Sequence, residues 1–183
     1  MQKKLYKIQD IENFDIEDVR SLYKKFVNPA QVNVVKSFGF GQELVSHAIG
    51  QWIYLKNGSK ILDFSGGYGV LSHGHNHPRI LKARINFQKD NKMEVHKNYL
   101  SQYTAALSSN ISNLLPEDLN KVFLPNSGAE ANEGAIKLAY KYHEGKKKYL
   151  LHSDISFHGK LLGTGSISSS QEADFEFPGL TNI

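Results

Sequence analysis

The spacing of apolar side chains along the chain predicts helices that alternate with short buried strands. Val19, Leu22, Tyr23 and Phe26 recur at i, i+3, i+4 and i+7, so they share one face of a helix from Asp15 to Val27, with Asp15 as its cap. Residues 28–40 mix polarities around Pro29 and Gly39 and read as a loop. Two short apolar runs, Trp52–Leu55 and Lys60–Phe64, flank Lys56-Asn57-Gly58-Ser59. An Asn-Gly pair between such runs predicts a β-hairpin. Residues 65–77 are glycine-rich and irregular, and Pro78 suits the first position of a helix reaching Lys89. A further helix is expected over Asn98–Leu115, halted by Pro116, and Lys121–Leu124 reads as a buried strand. Over Ala129–His143 a helix is expected with Ala135, Leu138, Ala139 and Tyr142 inward. Its other face carries Glu133, Lys137 and Lys141 at four-residue steps, and Gly145 closes it. Tyr149–Leu151 is the next strand, residues 154–170 are rich in Gly and Ser, and residues 171–183 show no clear period. Such alternation argues an α/β fold with a largely parallel sheet. The N-terminal helix and hairpin form a smaller appended layer.

Composition narrows the class. A length of 183 residues suits one domain of ordinary size, and 40% hydrophobic with 22% charged residues describes a globular protein. No apolar run approaches the length of a membrane span. The basic start is followed by Ile8-Gln9-Asp10-Ile11-Glu12 rather than an apolar core, which argues against a secretory leader. The absence of cysteine removes disulfides, thiolate metal sites and a cysteine nucleophile, and fits a cytoplasmic setting. The net charge of +4 does not imply a nucleic-acid partner, because 19 of the 22 basic residues are Lys and only Arg20, Arg79 and Arg84 are the forked donors that read phosphate and guanine. The run Lys146-Lys147-Lys148 follows a helix end, where the dipole favours cations.

Candidate chemistry concentrates in a few short stretches. The segment from Phe123 to Ala139 reads as strand, tight turn and helix start, with Asn126-Ser127-Gly128-Ala129 as the turn. The first amides of a helix lack intrahelical partners and carry partial positive charge, so a turn of small residues lets a phosphate approach them. The same residues also fit a capping box, in which Ser127 caps the helix and Glu130 reaches back to the Ser127 amide. His73, His75 and His77 invite a metal reading, but Gly74 and Pro78 break any strand there and no carboxylate lies near in sequence. Ser65-Gly66-Gly67-Tyr68-Gly69 is only a loose dinucleotide fingerprint. Phe157-His158-Gly159 follows a strand, where open α/β sheets place ligands and an aromatic can stack on a flat ring. It also fits a core Phe beside a glycine turn.

Taken together, four stretches resemble the N-terminal part of class III aminotransferases, fold-type I enzymes that use pyridoxal 5′-phosphate. They are Ile61-Leu62-Asp63-Phe64-Ser65-Gly66-Gly67-Tyr68, Gly74-His75-Asn76-His77-Pro78, Asn126-Ser127-Gly128-Ala129-Glu130-Ala131-Asn132-Glu133, and Ser156-Phe157-His158-Gly159. The resemblance covers about residues 38–170 and is nearest to putrescine, acetylornithine and ornithine aminotransferases. It implies that Ser127, Gly128 and Ala129 hold the cofactor phosphate, that Phe157 stacks on the pyridine ring with His158 beside it, and that Tyr68 stands in the substrate pocket. It also implies that residues 1–75 belong to the small domain and 76–183 to an incomplete cofactor-binding large domain. Lys160 occupies the place where ornithine and acetylornithine aminotransferases carry an Arg that grips a carboxylate, and putrescine-type members carry Lys there. That points to an amine donor without an α-carboxylate. The family's covalent Lys and the Asp that pairs with the pyridinium nitrogen match nothing in 1–183, so no catalytic residue is assigned and the chain alone is expected to be inactive. The implied activity is transfer of an amino group from an amine or ω-amino acid to a 2-oxo acid, with racemisation or aminomutation as sister chemistries. The implied assembly is a homodimer, or pairing with a complementing C-terminal chain. A non-catalytic fragment is the competing class.

Overall fold

The computed structural model describes residues 5–96, 98–116 and 118–169. The chain divides into two compact units, Met1–Glu94 and Val95–Ile183. The unperiodic stretch 171–183 lies outside the described residues.

The first unit opens with helices α1 (Ile8–Glu12), α2 (Ile16–Phe26) and α3 (Pro29–Ser37). Asp15 caps α2 as expected: its Oδ1 accepts from the Asp18 amide at 2.8 Å, and Asp18 Oδ2 accepts from the Asp15 amide at 3.2 Å. Residues 28–40 are not the expected loop. Asn28 Oδ1 accepts from the Ala30 amide at 2.9 Å and Pro29 takes the first helical position, so an Asn-Pro pair starts α3 where mixed polarity suggested irregularity. Helices α2 and α3 pack on one another, and Val32 of α3 is buried there.

Three antiparallel strands follow in the order β1-β2-β3: β1 (Val45–Ile49), β2 (Trp52–Leu55) and β3 (Lys60–Leu62). The predicted hairpin is β2–β3, with Trp52 opposite Leu62 and Tyr54 opposite Lys60. Its turn places Gly58 at φ +85°, and Asn57 Oδ1 accepts from the Ser59 amide at 2.9 Å. Strand β1 was not expected. Its alternation is broken by a register shift between Val45 and His47. Lys56 Nζ donates to the carbonyls of Glu12 at 2.8 Å and Phe14 at 3.0 Å, tying the hairpin to the helical start. The glycine-rich stretch then loops to α4 (Pro78–Lys89), which begins at the predicted proline.

The second unit contains α5 (Gln102–Ser112), α6 (Gly128–Tyr142) and α7 (Leu162–Ser166). Helix α5 is shorter than expected, because Ser101 rather than Asn98 caps it, accepting from the Thr104 amide at 3.3 Å. The two expected strands, 121–124 and 149–151, form no ladder among the described residues. A strand exists only with a neighbour, and a parallel neighbour arrives through a long connection that local pattern does not reveal.

Helix α6 also turns a different face inward. Leu138 is 66% and Tyr142 83% exposed, whereas Ala129, Asn132, Glu133 and Ile136 are partly covered. These four again follow i, i+3, i+4, i+7 spacing, and α7 packs on this helix. Glu133 therefore leaves the solvated charge row in which it was expected. At the far end the closure is as predicted: Gly145 sits at φ +70° and its amide donates to the Tyr140 carbonyl at 3.1 Å.

Candidate functional site

Ser127 is the N-cap of α6, and its Oγ accepts from the Glu130 amide at 3.2 Å. Half of the expected capping box is thus formed. The other half differs: Glu130 Oε2 accepts from the Asn126 amide at 2.6 Å, one residue earlier than predicted. Among the described residues, the amides of Gly128 and Ala129 have no acceptor. Asn126, Ser127 and Gly128 are exposed, so the helix start faces solvent. The Ser127 hydroxyl accepts one bond and still carries a hydrogen that no described acceptor takes. Three donors without a described acceptor therefore lie on consecutive residues of one exposed helix terminus, the kind of donor set that an oxyanion uses. Capping and anion binding use different atoms of this turn and do not exclude one another.

The segment 156–169 folds back against that terminus. Gly159 is buried at φ +137°, and a Cβ on it would lie 2.5 Å from Ala129 Cβ and 2.8 Å from Thr164 Oγ1. Asn132 Nδ2 donates to the His158 carbonyl at 2.8 Å, and the His158 amide donates to Ser168 Oγ at 2.8 Å. Ser156 is held in the same way: its amide donates to Ser169 Oγ at 3.1 Å and its carbonyl accepts from the Ser169 amide at 2.8 Å. Phe157 lies between these two anchored residues and is 69% exposed. Its ring is not a core side chain, as one reading of the sequence allowed. It is presented outward by a backbone fixed on both sides.

A family model for class III aminotransferases matches residues 40–181. The chain belongs to the class III aminotransferases. Acetylornithine aminotransferase of Bacillus anthracis is 39% identical over 118 residues, covering 63% of this chain and 29% of the relative. The enzyme of the same name from Methanothermobacter thermautotrophicus is 33% identical over 150 residues, covering 82% and 35%. Among solved structures, a taurine:2-oxoglutarate aminotransferase from Bifidobacterium kashiwanohense, in complex with PLP and glutamate, matches with a TM-score of 0.71 at 25% identity, covering 91% of this chain and 37% of that one. An adenosylmethionine-8-amino-7-oxononanoate aminotransferase from Methanocaldococcus jannaschii matches with a TM-score of 0.72 at 22% identity, covering 87% and 38%. The fold is thus that of the fold-type I aminotransferases. The chain spans about a third of the length of these curated relatives.

For a class III aminotransferase, six of the seven expected site residues fall in one unit of the structure. Ser127, Gly128 and Ala129 open α6, and Phe157 and His158 lie on the segment pressed against it. Lys160 follows on that segment and is exposed. Tyr68 belongs to the first unit. It is fully exposed and sits at φ +60°, a left-handed conformation that costs a non-glycine residue energy and recurs at functional positions. The loop bearing it is organised by Asp63, whose Oδ1 accepts from the amides of Ser65 at 2.8 Å and Gly66 at 2.9 Å. Asp63 Oδ2 accepts from His75 Nε2 at 2.8 Å. The His75 hydrogen bond first, then the Gly66 amide, holds the Asp63 carboxyl below its ordinary value. Sequence distance hid this carboxylate from the histidine cluster, and strand β3 delivers it. The other two imidazoles, His73 and His77, meet edge to face at 6.2 Å. Sequence reasoning also missed Asn132, Glu133, Thr164 and Ser168, whose signal was polar residues on the face of α6 opposite a Gly/Ser-rich stretch.

Proposed function

We propose that this chain binds the phosphate of pyridoxal 5′-phosphate at Ser127, Gly128 and Ala129, as part of an aminotransferase that moves an amino group from an amine or ω-amino acid to a 2-oxo acid. The observation that carries this reading is the set of two acceptor-free amides and one free hydroxyl hydrogen at the open start of α6. A dianionic phosphoryl group satisfies all three donors at once. When bound, the cofactor supplies an electron sink for deprotonation at the donor carbon. The chain's own residues bind and orient. Phe157 offers its exposed face to the ring with His158 beside it, and Lys160 contacts the substrate; Tyr68, in the first unit, keeps the substrate-pocket role that the family resemblance gives it. No residue here is assigned the proton transfer.

The finer expectations belong to this proposal. They are 2-oxoglutarate as acceptor, a cytoplasmic location, and a homodimer or a complementing C-terminal chain. They also place residues 1–75 in the small domain and 76–183 in the large one. No helix among the described residues is long and apolar enough to cross a membrane. The exposed Leu138, Tyr142 and Leu151, and segments 121–124 and 149–151 without a ladder partner among the described residues, favour a chain that acts only with further polypeptide around it.

The test is titration of the isotope-labelled chain with 4′-deoxypyridoxine 5′-phosphate, which keeps ring and phosphate but lacks the aldehyde that reacts with lysines. The Gly128 and Ala129 amide resonances should move most. Saturable binding that leaves both unmoved refutes the assignment. For the donor, an assembly containing this chain should turn over putrescine in preference to N-acetylornithine, and the reverse order would remove the role given to Lys160.

A further inference from the structure

We infer that Asn132 and Glu133 are positioning residues, which clamp the Phe157–Gly159 segment over the cofactor turn from one helical turn behind it. The inference rests on the phosphate reading of Ser127–Ala129 and adds how the ring-facing segment is registered against that turn. Glu133 Oε1 accepts from the Thr164 amide at 2.8 Å. Both of its carboxylate oxygens lie against Gly163, where an added Cβ would come within 2.8 Å and 2.9 Å of them. Thr164 is fully buried, and its carbonyl accepts from Ser168 Oγ at 2.8 Å. That same Ser168 oxygen accepts from the His158 amide and lies 3.1 Å from the Gly159 carbonyl oxygen, a second acceptor within reach of its one hydrogen. Asn132 closes the circuit from the other side by donating to the His158 carbonyl.

The His158 peptide groups are therefore held at both ends by side chains that trace back to adjacent residues of α6. The ring of Phe157 is too exposed for packing to fix its direction, so the backbone clamp must do so. The two helix positions differ in chemistry. Position 132 must donate, which Asn does and Asp does not. Position 133 must accept, which Gln can still do in place of Glu.

The test uses the full chain and four variants: Asn132→Ala, Asn132→Asp, Glu133→Ala and Glu133→Gln. Affinity is measured for 4′-deoxypyridoxine 5′-phosphate and for inorganic phosphate, and amide hydrogen exchange is followed at His158 and Thr164. Asn132→Ala, Asn132→Asp and Glu133→Ala should weaken the ring-bearing ligand about tenfold or more and raise exchange at both amides. Phosphate affinity should change less than about twofold, and Glu133→Gln should restore wild-type behaviour. A merely structural role would weaken both ligands together. Unchanged ring-ligand affinity, or unchanged exchange at both amides, overturns the clamp. If wild type binds neither ligand, the cofactor reading fails, and the exchange arm still decides the clamp.

Discussion

Replacing Gly159 with alanine measures how tightly the two motifs of the second unit are pressed together. Two independent penalties apply. The backbone at φ +137° is one that L side chains rarely adopt, worth about 1–3 kcal/mol. The new Cβ would also stand 2.5 Å from Ala129 Cβ and 2.9 Å from Ala129 Cα, and forced overpacking costs about 1–3 kcal/mol. The sum is about 2–6 kcal/mol, a large share of the stability of a unit this size. Part of the overlap can be separated, because Ala129→Gly removes the nearest obstruction and leaves the backbone strain and the close approaches to Thr164 Oγ1 and Ala129 Cα. Hydrogen exchange of peptides covering α6 and residues 156–169, followed across a urea series, reads the second unit apart from the first. Gly159→Ala should collapse protection in both peptides, and the double variant with Ala129→Gly should recover part of the loss. A single variant within about 0.5 kcal/mol of wild type would mean that Gly159 does not lie against Ala129 as described. A double variant with no recovery would mean that contact with Ala129 is not the source.

Three further outcomes are expected. Ser127→Ala should lower the stability of α6 by about 1 kcal/mol through loss of its cap, and should also weaken binding of 4′-deoxypyridoxine 5′-phosphate; a loss of stability with unchanged affinity would leave Ser127 a cap alone. The Asp63 carboxyl is held low in the folded chain, so its stabilising contribution is complete above the ordinary carboxylate value of about 3.9 and fades as pH falls through the lower folded value. Acid unfolding of Asp63→Asn should accordingly lose the part of its pH dependence below about pH 4, and an unaltered acid profile would contradict the Asp63–His75 contact. Gly50 and His75 exchange backbone hydrogen bonds of 2.9 and 2.8 Å; Gly74→Ala, which places a Cβ 3.0 Å from the Gly50 carbonyl carbon at φ +79°, should break this pair and cost about 2–6 kcal/mol in thermal unfolding of the first unit.

Local grammar made much of this molecule readable in advance. Asp15, Pro78 and Ser127 start their helices where the pattern places them, and Asn57-Gly58 turns the hairpin. These signals work because the responsible atoms lie within four residues of one another. What was not legible depends on distant partners. Strand β1 exists through its pairing with β2, while 121–124 and 149–151 have the composition of strands without a ladder among the described residues. Hydrophobicity points to the wrong inward face of α6, because this face is chosen by the hydrogen bond that Asn132 donates to His158, 26 positions away, and the one that Glu133 accepts from Thr164, 31 positions away. The missed α3 is of another kind. Asn28-Pro29 is a local signal, and mixed polarity outweighed it.

The cap of α6 narrows which amino acids suit position 127. Asp and Asn hold a helix start as well as Ser does, but the oxygen with which they do so bears no hydrogen. Asp would in addition bring a full negative charge to meet an incoming anion. Only a hydroxyl does both through one atom, receiving the Glu130 amide and still offering its own hydrogen outward, so loading the turn asks for no rearrangement of the helix that builds it. Threonine is then the one replacement that should leave both duties intact.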